Sequence, residues 1–203
     1  MDIAVNLIEN YLRLTGYLTL SEFEVQRRHG DTYRAVTDVD IMAMRLPGEV
    51  FLGDPHDESA AEVLLIEDPE LRIEDDTIDV IIGEVKQGQA VLNAGIRHHA
   101  VLHSMLRRVA WVFADGIDGV VEDLAEHSTC HSAARGGGTV RTRLVAFGRS
   151  EVTDLNTISL SHVITTMLGF FEEHEEAFRP IQFKEPAPAL LRLLLKAGFD
   201  VGK

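Results

Sequence analysis

Glu84 and Lys86 stand two residues apart at the end of DVIIGEVKQG, Asp79 to Gly88. The apolar, β-branched residues before them predict a strand, and a spacing of two in a strand puts both side chains on one face. A carboxylate and an ammonium then lie side by side at a strand end. Asp40 sits inside a second strand-like run, AVTDVDIMAMR, Ala35 to Arg45. Both faces of that run are mostly apolar, so it is expected to be a central strand, where a carboxylate needs a partner or a cation. If the two strands are neighbours, the chemistry open to Asp40, Glu84 and Lys86 together is the binding of a metal ion. A buried ion-pair network bracing the sheet is the alternative for the same three side chains.

The elements that must position them follow from apolar spacing. Residues 2 to 14 carry Ile3, Leu7, Ile8, Tyr11 and Leu12 at the three-to-four interval of an amphipathic helix, with Asp2 at its start and Thr15-Gly16 at its end. Glu9 lies at the edge of that stripe and reads on helix statistics as a solvated carboxylate. Residues 17 to 28 and 35 to 45 predict an antiparallel hairpin around Gly30-Asp31, and 79 to 88 predict the third strand. A long helix is expected over Val91 to Phe113, a fourth strand over Val140 to Gly148, a helix over about 161 to 178, and a short final helix from Pro188 to Lys196. Residues 115 to 138 show little organisation. The order predicts an α/β protein with a mixed central sheet covered on both sides.

At 203 residues the chain is expected to form one domain that buries roughly 70% of its unfolded surface. No apolar run reaches the ~18 residues that span a bilayer, and MDIAVNLIEN lacks a basic n-region and a cleavage site, so no membrane partner and a cytoplasmic location are expected. The single cysteine, Cys130, excludes an intramolecular disulfide and fits a reducing compartment. Net charge is −14, which opposes non-specific nucleic-acid binding. That charge is uneven. Twelve acidic residues and one arginine fall between Glu49 and Asp79, read as an insertion at about 49–76 with little regular structure. The remainder is near neutral, with basic clusters at Arg27, Arg28 and Arg34 and at Arg135, Arg141, Arg143 and Arg149.

Other motifs carry less. The acidic insertion has no D-x-[DN]-x-[DN]-G calcium loop. His99 and His103 lack the glutamate of an H-E-x-x-H pair and read as core-edge or surface residues. His127, Cys130 and His131 supply at most three zinc ligands where a structural site takes four, leaving a histidine- or cysteine-based metal protein as the weakest functional class. Gly136 to Gly138 precedes a strand with no Lys-Ser/Thr after it, so a turn is expected in place of a phosphate loop.

Glu9 in a leading helix, T-D-V-D-I-M-A at 37 to 43 and G-E-V-K at 83 to 86 resemble the PD-(D/E)XK nuclease superfamily, whose restriction-endonuclease-like fold includes archaeal Holliday-junction resolvases. The resemblance spans residues 2 to about 149, with Val39 in place of the motif proline. It implies an α-β-β-β-α-β core, here with helices added after about residue 159, and a Mg²⁺-dependent nuclease acting on DNA. It further implies Asp40, Glu84 and the main-chain carbonyl of Val85 as metal ligands, Lys86 as the residue orienting water or neutralising the phosphate, and Glu9 as a helper for a water or second metal. Carboxylate oxygens suit Mg²⁺ or Mn²⁺. A binding or assembly module that keeps the fold without turnover, dimerising through an exposed helix, is the alternative in a different class.

Overall fold

The stripe at the N-terminus forms α1, Ile3–Leu14, in a computed structural model of the chain that describes residues 2–29, 31–48 and 65–199. Asp2 caps it, its Oδ1 accepting the Ala4 amide at 2.7 Å, and Gly16 at φ +88° turns the chain out of it. β1, Leu18–His29, and β2, Thr32–Arg45, pair antiparallel from Leu18↔Met44 to His29↔Thr32, with a register shift between Val25 and Gln26. β2 then pairs antiparallel with β3, Thr77–Gln89, over Ile41↔Gly83 to Arg45↔Asp79.

From β3 the chain crosses through two short 3-10 helices, α2 (His99–Leu106), α3 (Asp118–Glu126) and the edge strand β4 (Thr129–Ala133). It returns as β5, Thr139–Arg149, parallel to β3. β6, Thr157–Ser159, adds to the end of β5, and α4 (Leu160–Glu173), α5 (Glu175–Phe178) and α6 (Pro186–Lys196) complete the described chain. The sheet is mixed, six-stranded and ordered β1-β2-β3-β5-β4, with β6 beside β5.

Strand alternation sorts the core into two layers. Ile81 and Val85 of β3 and Val145 and Phe147 of β5 pack with α1, α4 and α6 on one face. Val80 and Ile82 with Val140 and Leu144 pack against α2 and α3 on the other. Gly83 sits between them because a Cβ there would lie 2.5 Å from Ile41 Cγ2 and 2.9 Å from the Phe147 ring. Glycine lets β2, β3 and the Phe147 ring close up one residue before Glu84. Among the described residues no helix is long and apolar enough to cross a membrane.

Several expectations need correction. The single helix predicted over 91–113 is three pieces: a 3-10 turn at Ala94–Arg97, α2, and a second 3-10 stretch at Arg107–Val112. Asn93 starts the first piece by accepting the Gly95 amide, His98 at ψ 129° separates it from α2, and Val109 at φ −123° breaks the last. Residues 115–138 hold α3 and β4, so they are not weakly organised. The helix expected over 161–178 divides at His174, and the last helix begins at Pro186. Residues 49–64 of the acidic stretch lie outside the described residues. In the rest of that stretch Ile66 and Leu71 are buried in the α1-side core, with a 3-10 turn at Pro69–Leu71, and residues 72–76 are exposed.

Candidate functional site

The β2–β3 ladder stops at Ile41↔Gly83, and the next residue on each strand is Asp40 and Glu84. Here the backbone pattern changes hands. Asp40 Oδ2 accepts the Val85 amide at 2.7 Å, so a side chain takes the place of a main-chain acceptor where the strands part. On its other side β3 loses register with β5 after Val85 and resumes only at Gln89↔Arg149. Glu84 and Val85 thus keep β5 as a neighbour but have parted from β2, and Lys86 lies past the paired run on both sides, at the carboxyl end of the parallel pair β3 and β5, where open α/β sheets expose their sites.

The Glu84 carboxylate is nearly buried, its side chain 7% exposed, and Lys86, 38% exposed, donates from Nζ to its Oε1. Placement on one face by the two-residue spacing therefore yields a direct ion pair. Asp40 is half-buried and borders a cleft with Glu22, Phe23, Glu24, Asp38 and Val39. Glu22 adopts φ +48° where β1 passes that cleft. Among the described residues no trio of His, Cys, Asp or Glu converges as a ready metal group. The two carboxylates that flank the end of the ladder are each already bonded, Asp40 to the Val85 amide and Glu84 to the Lys86 ammonium.

Glu9 is bonded elsewhere. It is buried, pairs with Arg13 Nη2 at 2.6 Å and accepts from Ser21 Oγ at 2.9 Å and Thr19 Oγ1 at 3.3 Å. Those contacts tie α1 to β1 and leave Glu9 without a direct bond to Asp40, Glu84 or Lys86, and it is not the solvated helix carboxylate that spacing suggested.

A second polar cluster occupies the opposite end of β3. Asp79 Oδ1 accepts Arg141 Nε at 2.6 Å, and its Oδ2 accepts Arg143 Nη2 at 2.8 Å and the Tyr17 hydroxyl at 2.5 Å. Arg141 and Arg143 are 1% and 0% exposed, and their remaining donors reach the carbonyls of Leu71, Arg72 and Leu155 and the Glu74 carboxylate. Burial by itself pushes the Asp79 carboxyl up, but the Arg143 and Arg141 guanidiniums overcome it and hold the group below the usual carboxylate range. Burial and then the Asp79 charge raise the Tyr17 hydroxyl well above its ordinary value. Beside this cluster Asp68 accepts from Tyr11 at 2.5 Å and lies 2.7 Å from His162 Nε2. Residues 66–74 are in this way pinned to α1, α4 and β5.

The cluster was legible in part, since VRTRLVAF spaces two arginines at i and i+2 on the face that carries Val145 and Phe147. Cys130 is buried, donates to Asp123 Oδ2 at 3.2 Å, and has its thiol pushed up to about 12 by burial and the Asp123 carboxylate. That keeps it protonated and opposes a thiolate metal ligand. His131, next in β4, lies 3.4 Å from Glu74. His99 and His103 line an open groove on α2, where His103 approaches Asp118 at 2.7 Å.

Comparison with protein-family models, with curated proteins and with solved structures yields no match.

Proposed function

We propose that this chain is a restriction-endonuclease-like, Mg²⁺- or Mn²⁺-dependent nuclease that hydrolyses phosphodiester bonds in DNA, with its site at Asp40, Glu84 and Lys86. One observation carries the reading: the β2–β3 ladder ends in a register-matched pair of carboxylates, with an ammonium against one of them and the strands opening around them. Asp40 and Glu84, with the Val85 carbonyl, would hold the cation, which when bound supplies an activated water and polarises a phosphoryl oxygen. The Val85 amide donates to the Asp40 carboxylate and so would hold it in one orientation toward a ligand. Lys86, partly exposed on a strand end, places a positive charge where negative charge grows on the phosphate. Glu9 acts in this reading through packing of α1 on β1.

A non-catalytic binding module with the same architecture is the second reading. It is favoured by the Glu84–Lys86 pair, which satisfies both charges without a cation. Incubation with supercoiled, linear, branched and single-stranded DNA in Mg²⁺ and in Mn²⁺ separates the two. The nuclease reading expects cleavage that falls by at least about 100-fold in Glu84→Ala and in Lys86→Ala. Cleavage equal in both variants marks a contaminant, and no cleavage by the intact protein leaves the binding module.

A further inference from the structure

Three arginines are buried among the described residues, Arg141, Arg143 and Arg192. The first two end on Asp79. Arg192, 8% exposed, ends on nothing: no hydrogen bond or ion pair reaches its guanidinium from any described residue. Its place in α6 makes that costly. The inward stripe of the helix is Pro188, Leu191, Arg192 and the partly buried Leu195, at three-to-four spacing. A leucine at 192 would complete that stripe, whereas a charge there costs free energy until a counter-charge arrives. The guanidinium is not sealed in. Among the described residues the fully enclosed side-chain nitrogens and oxygens without a partner are Arg45 Nε and Thr142 Oγ1, so the Arg192 nitrogens keep an outlet.

That outlet is a cleft of about 250 Å³ between α4, α5 and α6, which Arg192 lines. Phe171 and Leu195 give it an apolar wall, and Phe171 is held edge-on against Phe178 with ring centroids 5.0 Å apart. Gly198, at φ +81°, ends α6 in a left-handed turn, and the Phe199 amide donates back to the Leu194 carbonyl at 3.1 Å. That turn brings the exposed Phe199 ring to the rim. Lys196, one turn after Arg192, adds a second positive charge from the same helix, while Glu172 and Glu175 line the cleft from α4 and α5. The volume falls below the ~300–1,000 Å³ of drug-sized sites and suits a small molecule.

We propose that this cleft binds a small carboxylate with an apolar body, with Arg192 taking the carboxylate, Lys196 adding to the attraction, and the body resting on Phe171, Leu195 and Phe199. The planar fork of a guanidinium matches a carboxylate through two parallel hydrogen bonds. Phosphate would match the fork too, but Glu172 and Glu175 repel a dianion more than a monoanion, and phosphate leaves the apolar wall uncovered. The site draws on none of Asp40, Glu84 and Lys86, so it stands or falls apart from the nuclease reading.

The test is ligand-observed NMR of the full chain with phenylacetate, hexanoate, inorganic phosphate and phenethylamine. Phenylacetate or hexanoate should bind saturably with a Kd of roughly millimolar or tighter. Phosphate should bind more weakly than either, and phenethylamine not at all. Arg192→Met keeps the length of the side chain without its charge; it should weaken carboxylate binding at least about 10-fold while melting stays at or above the parent's, because no native pair is lost. Lys196→Gln, exposed and outside the core, should weaken binding about 2- to 5-fold and serves in its place if Arg192→Met does not fold. Glu172→Gln should bind at least as tightly as the parent. The site is overturned if Arg192→Met, or Lys196→Gln in its place, binds as the parent does, if the parent binds neither carboxylate, or if phosphate or phenethylamine binds as tightly as they do. Carboxylate binding that appears only in Glu172→Gln also overturns it, since Glu172 then closes on Arg192 in solution.

Discussion

Asp79 and Glu84 lie on one strand about 17 Å apart, and each faces a basic side chain. At Asp79 the chain has closed every option. Two buried guanidiniums and a tyrosine hydroxyl converge on the carboxylate, and the donors left over reach main-chain carbonyls from segments far apart in sequence. At Glu84 the partner is a flexible, partly exposed lysine, the strand has just lost its neighbour β2, and the main chain beyond is about to leave β5. Burial with full satisfaction makes a brace; a carboxylate with one mobile partner at a splayed ladder keeps capacity for a ligand.

The strongest way to break that contrast is to remove Asp79. Asp79→Ala leaves the buried Arg143 guanidinium without a carboxylate and Arg141 with Glu74 alone, and urea denaturation should report a loss of about 3–5 kcal/mol. The pH dependence follows the same group. Its folded pKa is depressed, so its contribution is full above the unfolded value near 3.9 and lost as pH falls through the folded value. The acid loss of stability between about pH 5 and 2 should accordingly be shallower in Asp79→Ala. Gly83→Ala, between the two ends, forces a methyl against Ile41 and Phe147 and should cost about 1–3 kcal/mol in the same assay.

Smaller effects sharpen the comparison. Tyr17→Phe removes one hydrogen bond to Asp79 and should cost about 1–2 kcal/mol. Because the folded Tyr17 hydroxyl is raised, its stabilisation is complete below the unfolded value near 10 and declines as pH rises beyond it. The alkaline decline should be reduced in Tyr17→Phe, as followed by circular dichroism. Lys86→Ala stands at the other extreme: the lysine is more than one-third exposed although its partner Glu84 is nearly buried, so urea denaturation should report a smaller loss than for Asp79→Ala, while the proposed cleavage is lost. A destabilisation as large as that of Asp79→Ala would make both ends of β3 scaffold.

The Glu84 end of β3 was announced more clearly in the sequence than the Asp79 end. Glu84 and Lys86 share a face by spacing alone, and Asp40 stood out as a carboxylate inside an apolar strand, so their neighbourhood followed once β2 and β3 paired. α1 was likewise legible from its apolar stripe, and the hairpin from its β-formers and turn residues although the alternation of β1 slips between Leu20 and Phe23. Arg141 and Arg143 entered only as members of a basic cluster, since charge counts do not reveal that one aspartate and several carbonyls await them inside. The 91–113 region misled for a different reason: buried positions keep a helical spacing through 3-10 turns, while Asn93, His98 and Val109 interrupt the hydrogen bonding. α3 and β4 are polar on their outer faces and gave little periodic signal. Glu9 looked solvated on the helix, and only tertiary contact with Ser21 and Arg13 shows otherwise.

The central proposal is that the open end of β3 takes a divalent cation and the closed end does not. Titration of Mn²⁺ into the protein by calorimetry tests it most directly, with Glu84→Ala and Tyr17→Phe alongside. Binding that is abolished in Glu84→Ala and preserved in Tyr17→Phe is the predicted result. No binding by the parent protein, or binding unchanged in Glu84→Ala, would contradict the account.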